Sequence, residues 1–262
     1  MQQVMIGRRG HRECVLGGRT KIIAPLMSAD LRALTEQVAR YADYPVDLVE
    51  WRVDPLLAAQ GQQTIDALEA TLRSVGAQIM AASALPVLAT LRTGAEGGTV
   101  DVDSNDMYEA VVRLLADLAD AVDVEIARGS SELVNDCHER GAVVVASSHF
   151  FEGTPALAEL EDTLLSMDQA GADILKIAAM ARSPKDTLTV LAAQVDAAKR
   201  HARPVIGIAM GPYGAVTRVS GRALQSAATF ASIDEASAPG QLDVMATRRI
   251  LDMLEPRGES EE

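Results

Sequence analysis

A (β/α)8 TIM barrel, an α/β fold with a short N-terminal hairpin closing the barrel floor, is what the sequence predicts, as one domain over residues 1–262. Three observations predict it. Between residues 20 and 254, eight short apolar runs rich in Val, Ile and Leu recur, each followed by a polar loop and a longer amphipathic stretch. The runs are apolar at consecutive positions, which suits parallel strands covered on both faces. The first run leads into Ala24-Pro-Leu-Met-Ser-Ala-Asp30, without the glycine-rich phosphate loop that opens a doubly wound sheet. One α/β barrel accommodates about 250 residues, so 262 fit a single unit.

In chain order, VMIG and CVLGGR within residues 1–19 read as the two arms of the hairpin. The eight strands are expected at 21–26, 46–53, 85–92, 122–126, 142–148, 173–178, 204–209 and 226–231. Helical spacing fills the gaps between them. Ser28 can cap a helix through residue 39. Ala67, Leu68, Thr71, Leu72 and Val75 share a face, as do Val111, Leu114, Leu115 and Leu118, and Leu157, Leu160, Leu164 and Leu165. Ser183-Pro184 puts proline at a first helical position, ahead of Leu188, Leu191 and Val195. Leu242, Met245, Ile250 and Leu254 make a final helix, and residues 212–221 read as more loop than helix. Residues 74–91 carry no charge. A helix end, a break at Ser83-Ala84 and a buried strand account for them better than a membrane span does. The acidic tail at 255–262 is expected to fray.

Composition narrows the function. Hydrophobic residues make up 48% but aromatics only 3%, which disfavours nucleic-acid modules that stack bases on aromatic platforms. With 24 basic and 37 acidic residues the net charge is −13, which repels nucleic acid and anionic lipid. An anionic small molecule would need a few well-placed arginines. Cys14 and Cys137 lie in no redox or metal spacing, and the N-terminus has no apolar signal core. Two free thiols in a reducing cytoplasm are expected.

A barrel enzyme works at the C-terminal ends of its strands. The chain has four lysines, and Lys176 alone lies inside an apolar strand. Alternation puts Ile174, Lys176 and Ala178 on one face, so the lysine points into the barrel. Desolvation there lowers its pKa, and a neutral amine attacks a ketone to form an imine. The simpler alternative is a lysine paired with a buried carboxylate such as Glu125. His149 ends the fifth strand on the face of Ser147 and Val145, where an imidazole serves as general acid/base; a structural histidine is the alternative. Glu50, Arg52 and Asp54 alternate with Trp51 and Val53, so strand two offers three charges to one face, with a surface strand as the alternative. Arg92 closes strand three, and Glu96 follows in a glycine-rich loop able to fold over a site. Arg218 can grip a carboxylate as a bidentate fork, while Ser237 and Gln241 lie in a Pro/Gly loop before the last helix. No metal-ligand spacing is present, though Glu50, Asp54, Glu96 and His149 together keep a metal-dependent barrel as an alternative.

Taken together, KIIAPL, DLVEWRVD, LATLRTGAEGG, DVEIA, VVASSHFFEGTP, GADILKIAAM, IGIAMG, VTRVSG and SAATFASIDEASAPGQ resemble type I 3-dehydroquinate dehydratase. This is the Schiff-base class of the shikimate pathway. The segments are colinear from Lys21 to Gln241. The resemblance implies dehydration of 3-dehydroquinate to 3-dehydroshikimate, with Lys176 forming the imine, His149 as general acid/base and Glu96 tuning it. Glu50, Arg52 and Arg92 would hold substrate hydroxyls, and Arg218, Ser237 and Gln241 the carboxylate. Met210 and Phe230 would shape the wall. It implies no metal or organic cofactor, no membrane or nucleic-acid partner, and a cytoplasmic homodimer. The chain departs from some members at Ser148 and Phe150, where they carry Tyr and Asp or Asn, and at Pro25, where they carry a serine that contacts ligand. Other readings of the same pattern are a class I Schiff-base aldolase and a non-catalytic binding barrel.

Overall fold

A computed structural model of the chain describes residues 2–7, 13–61, 65–102, 104–234 and 236–255. The acidic tail lies outside the described residues from 256 onward.

The eight expected strands are all present: β3 (Lys21–Leu26), β4 (Leu48–Arg52), β5 (Val87–Thr90), β6 (Ala121–Glu125), β7 (Val143–Phe150), β8 (Ile174–Met180), β9 (Val205–Met210) and β10 (Ala228–Ser232). From β3 to β9 each pairs in parallel with the next, and β10 pairs with β3. The ring closes between β9 and β10 through a bridge at Val205 and Ser226, where the Ala227 N–H donates to the Val205 carbonyl at 2.9 Å. Helices α1 (Leu31–Tyr41), α3 (Ile65–Ala82), α4 (Asn105–Leu118), α5 (Ser131–Glu139), α6 (Leu157–Gln169), α7 (Pro184–Arg200) and α8 (Val244–Leu254) cover the outside. A short α2 (Asp54–Gln60), opened by Pro55, was not expected from the sequence. No described helix is long and apolar enough to cross a membrane.

Alternation divides the interior by height. The lower inward positions are apolar: Ile23, Leu48, Leu88, Ala121, Val145, Ile174, Ile206 and Ala228 form one cluster with Ile6, Cys14 and Leu16. The last three belong to the antiparallel hairpin of β1 (Val4–Ile6) and β2 (Cys14–Leu16), which plugs the floor as expected. Both cysteines are free and buried. Higher up, the inward positions turn polar: Glu50 and Arg52 on β4, Thr90 on β5, Asp123 and Glu125 on β6, Ser147 and His149 on β7, and Lys176 on β8.

Three aspartates pin the register from below. Asp47, Asp120 and Asp173 each precede an even barrel strand and accept a backbone N–H of the strand before it: Ile22 at 2.8 Å, Val87 at 2.9 Å and Val144 at 2.8 Å. A one-residue slip would turn every inward side chain outward, so these bonds protect the site's geometry.

Local details correct the sequence reading. Asp30, not Ser28, caps α1, accepting the Ala33 N–H at 2.8 Å, while the Ser28 hydroxyl accepts the Asp30 N–H. Leu242 belongs to a two-residue strand, β11 (Leu242–Asp243), beside β10. Asp243 caps α8, so the helix starts later and buries Val244, Thr247 and Leu251, leaving Met245 and Leu254 exposed. On α6 the buried residues are Leu160, Leu164 and Met167, with Leu157 and Leu165 exposed. Residues Ala215–Val219 form a 3-10 turn, and Ser183 and Pro184 open α7 in a complete capping box.

A carboxylate just beyond α8 seals the barrel floor. Glu255 is buried and accepts the Thr20 N–H at 3.0 Å, the Thr20 hydroxyl at 2.6 Å and the Arg222 N–H. Glu255→Ala strands these donors, and a loss of roughly 1–3 kcal/mol is expected, read from urea unfolding midpoints.

Candidate active site

At the C-terminal end of the barrel, Glu50, Arg52, Arg92, Glu96, His149, Lys176, Met210, Arg218, Phe230 and Ser237 line one cavity. Of the residues singled out by sequence, Asp54 is absent from that lining, and so is Gln241. Its Oε1 accepts the Ser237 N–H at 2.6 Å, so it braces the serine's loop. The cavity also takes in Phe151, Ala178, Ile208 and Ala238, which the sequence reading did not single out.

Lys176 enters from β8, 4% exposed, with Nζ 4.4 Å from the centre of the Phe230 ring. Its carboxylate neighbour is Asp123, with Oδ2 at 3.6 Å, rather than Glu125. Burial lowers the amine's pKa, and Asp123 and Glu50 oppose that only in part. A buried amine whose charged form is disfavoured is a nucleophile once it has shed its proton.

His149 and Glu96 meet from two elements, with Nδ1 2.8 Å from Oε2. Burial pushes the Glu96 carboxyl up to about 8 against the pull of Arg92, and burial with the nearby Arg92, Lys176 and Arg52 depresses the imidazole. With Nδ1 engaged by the carboxylate, Nε2 is left to exchange a proton with a ligand. The turn that carries Glu96 is possible because two glycines follow it. Gly97 has φ +81°, and a Cβ there would lie 2.2 Å from the Phe151 ring; one on Gly98 would lie 1.9 Å from the Arg92 carbonyl oxygen.

Glu96 has its pKa raised above the ordinary carboxyl value of 4.5, so the folded state holds a proton that the unfolded chain releases. Stability from this group is present below pH 4.5 and is lost as pH rises through about 8. Glu96→Gln is therefore expected to raise the melting temperature above pH 8 by roughly 2–4 °C, the shift produced by about 1 kcal/mol. Calorimetry across pH 5–9 checks it.

Arg92 is the hub of the buried charges. It reaches Asp123 at 2.7 Å, Glu125 at 3.0 Å, Glu96 at 3.2 Å and the Ser147 hydroxyl at 3.1 Å. Burial works against its charge, but Asp123, Glu125, Glu96 and Glu50 outweigh it and its pKa rises. Thr93 adds its N–H and hydroxyl to Glu125. Asp123, Glu125, Ser147 and Thr93 were not assigned to the site from sequence. The signal for two of them was present, since Asp123 and Glu125 alternate with Val122 and Val124 just as Glu50 and Arg52 alternate with their neighbours.

On β4, Glu50 accepts the Thr90 hydroxyl at 2.9 Å. Asp54 is not a third charge on the strand: it opens α2 and holds Arg52 through two bonds of 2.7 and 2.8 Å. Among the described residues no group of His, Cys, Asp or Glu is arranged to hold a metal.

Arg218 comes from the 3-10 turn after β9, 1% exposed, and donates to the carbonyls of Phe230 and Pro239 at 3.5 and 3.0 Å. No carboxylate pairs with it among the described residues, Nε has no partner, and burial lowers its pKa to about 10. A buried guanidinium without a counter-charge, beside Ser237, is a receptor for an anion. Ser148 and Phe150 alternate away from His149, and Phe150 packs on the outer core.

Comparison with known proteins places this geometry among relatives. Residues 22–257 match the family described as type I 3-dehydroquinase. A curated 3-dehydroquinate dehydratase of Klebsiella pneumoniae is 37% identical over 243 residues, covering 90% of this chain and 94% of that one. One from Salmonella agona is 35% identical over 250 residues, covering 93% and 96%. Among solved structures, the type I 3-dehydroquinate dehydratase of Clostridium difficile, described with covalently modified comenic acid, superimposes with a TM-score of 0.85 at 29% identity and 97% coverage of both chains. That of Geobacillus kaustophilus gives 0.82 at 31% identity, covering 98% of each.

Proposed function

The chain belongs to the type I 3-dehydroquinase family and acts as a 3-dehydroquinate dehydratase, and from that premise we propose that it works through an imine on Lys176 with His149 as the proton carrier. The observation that carries this reading is the shared cavity: one buried, pKa-depressed lysine, one histidine–carboxylate pair and one uncompensated arginine.

The substrate carries matching groups: a ketone, a hydroxyl β to it, and a carboxylate. Arg218 and Ser237 hold the carboxylate, and Glu50, Arg52 and Arg92 take the ring hydroxyls. That orientation sets the ketone toward Lys176. The amine adds to the ketone carbon and water leaves, giving an iminium that draws electrons from the neighbouring C–H. Nε2 of His149 removes that proton, and Glu96 stabilises the imidazolium that results. Protonated His149 then delivers the proton to the departing β-hydroxyl. Water hydrolyses the conjugated imine, freeing Lys176 and 3-dehydroshikimate. Proton transfer of this kind typically contributes about 10²–10⁴-fold. Met210 and Phe230 keep the cavity wall apolar, which favours the neutral amine.

The family likeness further supports a homodimer in the cytoplasm, which light scattering and fractionation would test. For the chemistry, the test is borohydride reduction in the presence of 3-dehydroquinate, followed by peptide mass spectrometry. One substrate-derived mass on the Lys176 peptide is expected. Label on Lys185 or Lys199, or none, would overturn the imine reading.

A further inference from the structure

Asp123 sits on β6 with no exposed surface, and its two oxygens have different surroundings. Oδ1 accepts Arg92 at 2.7 Å and the Ser147 hydroxyl at 2.7 Å. Oδ2 has no hydrogen-bond donor and lies 3.6 Å from the Lys176 Nζ. Among the described residues it is the one buried carboxylate oxygen left without a donor. Other carboxylates nearby are engaged: Glu50 with Thr90, Glu96 with His149, and Glu125 with Arg92 and Thr93.

We propose that Asp123 is a positioning residue for Lys176, its free Oδ2 holding Nζ against the Phe230 ring and serving as counter-ion once that nitrogen becomes an iminium. This rests on the imine reading above and says which group makes the imine affordable inside the barrel.

The charge balance shows why one is required. The Nζ lone pair forms the C–N bond while the carbonyl π pair moves to oxygen. That oxygen leaves as water with two protons, one from nitrogen and one from the His149–Glu96 pair. The remaining nitrogen lone pair closes the C=N bond, so a neutral amine becomes a cation. Around it, β4 presents Glu50 and Arg52, the segment just after β5 Arg92, β6 Asp123 and Glu125, and β7 His149 with Glu96 behind it. β9 and β10 add the apolar Ile208, Met210 and Phe230, and the segments after them add Arg218 and Ser237. Arg92 and Arg52 both disfavour a positive charge at Lys176, and the oxygen at 3.6 Å is free to meet it.

The test measures two things against pH, kcat and the rate of borohydride trapping on Lys176. In Asp123→Asn the amine loses the carboxylate that favours its protonated form, so the acid limb of trapping should move down by about one unit or more. The kcat should fall by roughly 10–100-fold with a smaller change in KM. Ser147→Ala, which removes a donor from Oδ1 alone, should leave the limb in place. Asp123→Glu keeps the charge and should return the limb toward the wild-type position, and it decides the matter by itself if the amide does not fold. A limb unmoved in Asp123→Asn, or a Glu variant displaced as if the charge were gone, overturns the proposal. Wild-type enzyme that yields no label on Lys176 would fail at the earlier step and remove the imine reading itself.

Discussion

Lys176→Ala is expected to abolish dehydration, by on the order of 10⁵-fold or more, while the protein remains folded. The size of the effect follows from the absence of a substitute. Lys21, Lys185 and Lys199 lie outside the cavity, so no other lysine takes its place beside the ketone. The arginines present are too basic to act as nucleophiles. Folding should survive because the amine contributes little to stability. Its charged partner is one carboxylate oxygen at 3.6 Å, and burial opposes its charge. Asp123 keeps Arg92 and Ser147 when the lysine is gone. Circular dichroism and a melting curve check the fold, and the rise in enone absorbance checks turnover. Substantial residual activity would mean that elimination proceeds without an imine.

His149→Ala is expected to separate imine formation from proton removal. The lysine still meets the ketone, since Lys176 and its neighbours Asp123 and Phe230 are untouched. The proton beside the iminium then has no acceptor. Product formation should drop by about 10²–10⁴-fold, and a borohydride-trappable adduct should accumulate to near one per chain. Quenched-flow trapping and product absorbance measured on the same variant decide it. Turnover near the wild-type rate would assign the proton to another group.

Much of this was legible in the sequence because barrel strands repeat one simple rule. Consecutive apolar residues marked the eight strands, and alternation within them correctly pointed Glu50, Arg52, His149 and Lys176 inward. Strand ends were harder to read: β7 runs on to Phe150 and β8 to Met180, because pairing in the ring continues past the apolar run. Asp123 went unassigned because a run judged by its hydrophobicity hides a polar residue that alternates within it. Asp54 and Gln241 show a different limit. Each is close to the site in sequence, but each spends its side chain on a neighbour, Arg52 in one case and Ser237 in the other. Period-two alternation gives the direction of a side chain and is silent about a partner supplied by a loop. Cap choice at Asp30 over Ser28 was of the same kind, two adequate oxygens competing for one helix start.

The clasp between Glu255 and Thr20 has a consequence for how the chain is born. The two residues are 235 positions apart, so Thr20 leaves the ribosome roughly 10–50 s before its partner is made, at about 5–20 residues per second. β4 follows β3 almost at once, but β10, the strand on the other side of β3, appears only after some two hundred further residues. For that interval the nascent chain holds a growing curled sheet whose first strand keeps one edge bare. An apolar edge of that kind invites pairing with another chain. Crowded synthesis on polysomes is therefore where this barrel is most exposed to misassembly, and slowing elongation late in the message would lengthen that exposure.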